Sequence, residues 1–221
     1  MAFSSHDSLW IHEIFHSIQG ESLLAGMPTV FVRTSGCNLR CRWCDTKYAF
    51  WKGTLKSLPE ILHQVGHFKA QAVCVTGGEP LGQPGTLRLL DLLVADYPVV
   101  SLETNGSFSL QAVPDSVIKV VDVKCPESGH ELDNNWSNLE FLSPKDQLKF
   151  VVASSQDFQW AREVIEQYRL LSLCPVLFSP VADRVLPADL AKWLLAAPDL
   201  AQARLQIQLH KVLFGQDARG V

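Results

Sequence analysis

Short apolar runs, each closed by a turn and followed by an amphipathic stretch, repeat along most of the chain. The pattern predicts strands at residues 29–34 (TVFVRT), 72–76 (AVCVT), 99–103 (VVSLE), 117–123 (VIKVVDV), 147–152 (QLKFVV), 176–179 (VLFS) and 205–209 (LQIQL). Most are rich in β-branched residues and several read as apolar on both faces, which suits a parallel sheet covered by helices. The segments between them have helical spacing. Ser57 followed by Glu60 is a capping-box pattern that opens a helix toward Phe68. Residues 86–95, 155–170 and 187–196 carry apolar side chains at helical intervals, with Ser155 placed to cap the second and Pro187 in the first turn of the third.

Alternating strands and helices define an α/β fold with right-handed crossovers. Eight full strand–helix units fill about 250 residues. This chain has 221, with a long N-terminal approach and a helix-poor stretch at 106–144, so an incomplete, TIM-like barrel with a parallel sheet is expected. No repeat, low-complexity tract or linker divides it, and residues 1–221 are expected to form a single domain. The unusual residues collect after the strands. SGCNLRCRWCDT follows the first, TGGEP the second, ETNGS the third and KCPESG the fourth. Carboxyl ends of parallel strands are where such folds do chemistry.

Bulk composition narrows the partners. Hydrophobic residues are 47% and charged residues 19%, and no apolar run approaches the roughly 20 residues needed to cross a bilayer. Residues 1–8 lack the basic start and apolar stretch of a secretory signal, so a cytoplasmic protein is expected. A net charge of −4 with scattered Lys and Arg argues against nucleic acid and for a small-molecule substrate.

Of six cysteines, Cys37, Cys41 and Cys44 crowd into one C-x3-C-x2-C loop. Clustered thiolates in such a chain point to metal, and soft sulfur selects an iron–sulfur cluster or zinc. On a four-iron cluster, three cysteines leave one iron open to a ligand. Zinc would need a fourth ligand, with His6, His12, His16 and His63 as candidates. A zinc deaminase would need an H-x-E motif, which the adjacent His12-Glu13 pair does not supply. Arg33, a base inside an apolar strand three residues before Gly36, offers a fork for a carboxylate or carbonyl. Glu103 can accept a hydrogen bond from a ribose hydroxyl. Cys74 and Cys174 fit structural positions.

The cysteine loop, with Trp43 before its last ligand, resembles that of the radical S-adenosylmethionine superfamily, as does Thr76-Gly77-Gly78-Glu79-Pro80. Three further segments resemble the 7-carboxy-7-deazaguanine synthase family: Phe15-His16-Ser17-Ile18-Gln19-Gly20-Glu21, Cys44-Asp45-Thr46 and Gln208-Leu209-His210-Lys211. With Arg33 the likeness runs from about residue 11 to residue 211.

The resemblance implies a partial (β/α)6 barrel and a [4Fe–4S] cluster on Cys37, Cys41 and Cys44. It implies S-adenosylmethionine near Gly78, Glu79, Glu103, Lys124, Cys125, Pro126, Phe178, Ser179, Pro180 and Val181, and Mg2+ at Thr46, with Asp45 as a competing ligand. It implies 6-carboxy-5,6,7,8-tetrahydropterin against Ile18, Gln19, Gly20, Arg33 and Thr76, with His210 facing it from the end of the last strand. The reaction implied is radical ring contraction to 7-carboxy-7-deazaguanine with loss of ammonia, on the route to queuosine. A homodimer and an electron donor such as flavodoxin or ferredoxin come with the family. Some members carry S-P-K where this chain has Lys124-Cys125-Pro126. Two other functions fit the cysteine loop: an activase that makes a glycyl radical on a partner protein, and a zinc-binding interaction module.

Overall fold

The computed structural model describes residues 7–51, 53–215 and 218–220; His6 and most of the N-terminal segment lie outside that set. The strands are β1 (Ser8–Ile18), β2 (Pro28–Thr34), β3 (Thr54–Ser57), β4 (Ala72–Gly77), β5 (Val99–Thr104), β6 (Ile118–Val123), β7 (Gln147–Val152), β8 (Val176–Pro180) and β9 (Arg204–Leu205). They form one sheet in the order β3-β1-β2-β4-β5-β6-β7-β8-β9. From β2 to β9 every neighbouring pair is parallel, while β1 lies antiparallel to both β2 and β3. β3 and β9 are the two ends of the order, so the sheet is an incomplete barrel, as expected.

The helices are α1 (Leu58–His67), α2 (Gly85–Asp96), α3 (Ser155–Tyr168), α4 (Pro187–Leu195) and α5 (Leu209–Phe214). The capping box forms: Ser57 Oγ accepts the Glu60 N–H, and Glu60 Oε2 accepts the Ser57 N–H at 2.7 Å. The cap of α3 is Ser154 rather than the expected Ser155, because Ser154 Oγ is the atom that reaches the Asp157 N–H. The stretch between β5 and β7 is spanned by short 3-10 turns and no α-helix, in keeping with its poor periodicity.

Two strands were not foreseen, β1 and β3. They sit at the antiparallel end of the sheet, where half-buried faces give no clean apolar run. The expected strand at 205–209 is another correction. Only Arg204–Leu205 pairs with β8, and Leu209 begins α5. His210 is therefore a helical residue and does not end a strand.

Side chains alternate across each strand. Val30, Val32, Val73, Val75, Leu102, Phe150 and Phe178 point outward and bury themselves against Ile61, Val65, Leu89, Leu93, Phe158 and Leu190 of the helices. The opposite positions line the inside of the half-barrel. Arg33, Thr76, Glu103, Asp122, Lys149 and Ser179 are there, facing one cavity.

Candidate active site

The cavity, about 700 Å³, opens at the carboxyl ends of the parallel strands. Its rim is built by loops that lock together. Gly36, with φ of 86°, turns the chain out of β2. Its carbonyl accepts the Glu79 N–H at 2.7 Å, and a Cβ on Gly78 would collide with that same carbonyl. Gly78 is thus required by loop-on-loop contact as well as by any ligand. Glu79 is buried beneath this junction. Its Oε1 accepts from Leu81 N–H at 3.0 Å and Thr104 Oγ1 at 2.8 Å, and its Oε2 accepts from Asn105 N–H at 2.7 Å. Burial raises its pKa despite those donors. One carboxyl group therefore ties the loops after β4 and β5, and Asn105 carries the tie on to the cysteine loop through Asn38, at 3.0 Å.

All three loop cysteines line the cavity and none is in a disulfide. Cys37 Sγ accepts the Leu39 N–H at 3.4 Å and the Asn105 amide at 3.8 Å. Donors of this kind stabilise a thiolate ligand and tune a cluster. Burial raises the Cys41 and Cys44 thiols, and Lys124 pulls both the other way. Among the described residues no three His, Cys, Asp or Glu side chains are gathered tightly enough for a single ion. His12, His16 and His63 do not line the cavity, so a zinc site finds no fourth ligand in them. Three soft thiols on one loop at the cavity wall are the donor chemistry of an iron–sulfur centre. The donor set fits a cluster.

Across from the cysteines lies a set of polar pairs. Glu103 accepts from Gln19 Nε2 at 3.2 Å and from Thr76 Oγ1 at 2.8 Å, keeping acceptor capacity on both oxygens. Arg33 Nε donates to Glu13 Oε1 at 2.8 Å. Burial alone would lower the Arg33 pKa, but Tyr48, Glu13 and Glu103 hold it up. Lys149 meets Glu21 at 2.7 Å, and Gln208 Nε2 donates to both Glu21, at 2.7 Å, and Asp45, at 3.0 Å. Burial would raise both carboxyls, yet Lys149 and Gln208 hold Glu21 low, and Gln208 and Lys211 depress Asp45 strongly. Beside Cys41, Asp122 Oδ2 accepts from Lys124 Nζ at 2.7 Å, while Asp122 Oδ1 is buried with no partner among the described residues.

Most of the residues singled out in the sequence meet here. Ile18, Gln19, Gly20, Arg33, Thr46, Thr76, Gly78, Glu103, Lys124, Cys125, Ser179, Pro180, Val181 and His210 all line the cavity. Glu79, Pro126 and Phe178 do not. Phe178 is core, stacked 5.5 Å from Phe150, and Pro126 opens a 3-10 turn. Gly20 explains how His210 arrives: a Cβ there would strike the imidazole, and the Leu209 N–H donates to Gly20 O at 2.9 Å, docking α5 on the loop after β1. Glu13, Tyr48, Asp122 and Lys149 were not singled out. Asp122 and Lys149 carried the signal used for Arg33, a charge inside an apolar strand; Glu13 and Tyr48 carried none.

A family model for the radical SAM superfamily matches residues 31–169, the barrel from β2 through α3. A half-barrel with a three-cysteine loop after its first parallel strand is what defines that class, and the chain is a radical SAM protein. Curated 7-carboxy-7-deazaguanine synthases resemble it along their whole length. That of Chlorobaculum tepidum is 43% identical over 221 residues, covering 99% of this chain and all of that protein. That of Clostridium acetobutylicum is 39% identical, covering 95% and 97%. The chain belongs to the 7-carboxy-7-deazaguanine synthase family. The crystal structure of QueE from Escherichia coli shares the fold, with a TM-score of 0.73 at 24% identity over 92% of this chain and 95% of that one.

Proposed function

We propose that the chain converts 6-carboxy-5,6,7,8-tetrahydropterin to 7-carboxy-7-deazaguanine by ring contraction with loss of ammonia. The observation that carries this reading is one cavity whose wall runs from three free cysteines to an arginine fork and a Glu103–Gln19–Thr76 set. A carboxylated pterin needs both: a cation for its carboxylate and a mixed donor–acceptor edge for its pyrimidinone.

Cys37, Cys41 and Cys44 would hold the [4Fe–4S] cluster, which supplies the electron that cleaves S-adenosylmethionine. The protein's own part is positioning and exclusion of water. Arg33 fixes the substrate carboxylate and Gln19 reads the ring edge; Glu103, expected at a ribose hydroxyl of S-adenosylmethionine, is joined to Gln19 and Thr76 and reads that edge with them. Lys124, Ser179, Pro180 and Val181 border the S-adenosylmethionine side. Mg2+ belongs to the same reading, with the Thr46 hydroxyl as its protein ligand; that hydroxyl lines the cavity and donates to Asp45 Oδ1 at 2.9 Å. A homodimer and a flavodoxin or ferredoxin donor complete it. Exposed Leu205, Ile207, Val212, Leu213 and Phe214 along the β9–α5 edge support a subunit contact. Among the described residues no helix is long and apolar enough to cross a membrane.

The test is anaerobic reconstitution with iron and sulfide, then dithionite, S-adenosylmethionine, Mg2+ and the tetrahydropterin, with products followed by mass spectrometry. Formation of 7-carboxy-7-deazaguanine, lost in Cys41→Ala, is expected. If 5′-deoxyadenosine forms without any deazapurine, the substrate assignment falls and an activase role takes its place.

A further inference from the structure

β1 does not pair evenly with β2. Ile11 faces Thr34, yet Glu13, not His12, faces Arg33, so His12 is an extra residue. This is a β-bulge, and one extra residue flips every later side chain to the other face. The flip is visible in burial. Before it, Leu9 and Ile11 point into the outer core. After it, Ile14 packs on that core while Phe15 lines the cavity. An even register would set an imidazole opposite Arg33. The bulge sets a carboxylate there instead.

The carboxylate is then held in place. Glu13 Oε1 takes Arg33 Nε at 2.8 Å and the Tyr48 hydroxyl at 3.3 Å. Tyr48 is itself fixed by the His12 ring at 5.1 Å. The Arg33 guanidinium packs over the Phe15 ring at 5.7 Å and the Tyr48 ring at 5.9 Å. Only the Nε of Arg33 is engaged among the described residues; the two terminal nitrogens keep their donors for the cavity. A guanidinium pinned at Nε and packed on two rings presents its terminal edge in a restricted set of orientations.

We infer that Glu13 is a positioning residue: delivered by the His12 bulge, it locks Arg33 so that the terminal fork is preset for the carboxylate of the substrate. Glu13 does not itself touch that carboxylate. This rests on the carboxylated-pterin reading of the cavity. Two opposed roles make it testable. If Glu13 merely neutralised Arg33, its removal would strengthen carboxylate binding. If it orients Arg33, removal weakens binding, because the free guanidinium must be ordered again on each binding event.

The reconstituted enzyme with S-adenosylmethionine is dialysed to equilibrium against 6-carboxypterin and, in parallel, against pterin lacking the carboxylate. In Glu13→Ala, binding of 6-carboxypterin is expected to weaken roughly tenfold, the scale of one charge-assisted hydrogen bond, with pterin binding unmoved. In turnover, KM for the tetrahydropterin should rise more than kcat falls. Glu13→Gln, whose amide oxygen still accepts from Nε, should restore binding to within about threefold. Unchanged or tighter binding in Glu13→Ala overturns the inference, and so does equal weakening for both pterins or equal loss in Glu13→Gln. Should the alanine variant not fold, Glu13→Asp keeps the charge but withdraws the oxygen. Selective weakening there supports the inference, and no change overturns it. Arg33→Ala separates the two levels. If it fails to weaken 6-carboxypterin relative to pterin, the carboxylate reading itself falls; if it does weaken it and Glu13→Ala does not, only the positioning role falls.

Discussion

Two buried lysine–carboxylate pairs sit on opposite faces of the same sheet. Lys119 of β6 approaches Asp146 at 3.6 Å, with side-chain exposures of 2% and 0%. Lys149 of β7 meets Glu21 at 2.7 Å, with 13% and 15%. The first pair lies on the outer face near the amino end of the strands, where Asp146 also accepts from the Lys119 and Ser143 N–H groups, the Ser143 hydroxyl and the Lys145 ammonium. It is a filled knot that joins β6 to the turn before β7. The second pair faces the cavity and links three distant segments, because Gln208 shares Glu21. A fully satisfied buried ion serves folding; a partly open one at a cavity wall is available to a ligand.

The comparison breaks most sharply at Asp146. Asp146→Ala strands several donors and leaves Lys119 unpaired, so a loss of about 3–5 kcal/mol in unfolding free energy is expected by denaturant titration, with turnover per folded molecule nearly kept. Lys149→Met should do the reverse. Its stability loss is expected at about 1–2 kcal/mol, since the cavity admits water to Glu21, while turnover per folded molecule falls at least about tenfold. If Asp146→Ala loses the greater share of turnover, the division between the two faces is wrong.

Acid sharpens the same contrast. Burial would raise both carboxyls, but hydrogen bonds from the Lys119 backbone, Lys145 and Ser143 hold Asp146 below its usual value, and Lys149 and Gln208 do so for Glu21. A group with a depressed folded pKa adds stability that is complete above its unfolded pKa and disappears as pH falls through the folded one. Unfolded carboxyls titrate near about 4, so the native protein should lose stability below that pH, and Asp146→Asn should flatten the acid limb in thermal melts from pH 6 to 3. Glu21→Gln should flatten it less, having fewer donors to lose. The smallest effect is expected at the surface. Arg162 and Asp199 pair at 2.9 Å at the surface with side-chain exposures of 33% and 49%, and Arg162→Ala should shift unfolding by less than about 1 kcal/mol.

What the chain reveals by itself is what local spacing can encode. The C-x3-C-x2-C loop keeps its three thiols together whatever the rest of the fold does, and all three reach one cavity. The capping box and leucine spacing announced α1 and α2, because helix contacts lie within a few residues of one another. Apolar runs marked every parallel strand from β2 to β8, since a doubly covered strand must be continuously apolar on its helix side. β1 escaped notice because its partners are on other strands and its apolar pattern changes face at His12.

The site's charges show where local reading ends. IKVVDV and QLKFVV look alike, each with a lysine inside an apolar run, yet Lys119 turns to the outer face, beside Asp146 and the turns around Leu110 and Leu142, and Lys149 faces the cavity. The chain alone placed both lysines inside strands. Which face each occupies is a matter of register, and register is decided by long-range pairing: Val120 against Gln147, Leu148 against Val176. The same holds for Glu13, whose carboxylate meets Arg33 only because one unpaired residue lets the strand change face. Composition and spacing chose the chemistry; the pairing of strands far apart in the chain chose which groups would share one cavity, because a side chain's direction has a period of two and a single-residue shift reverses it.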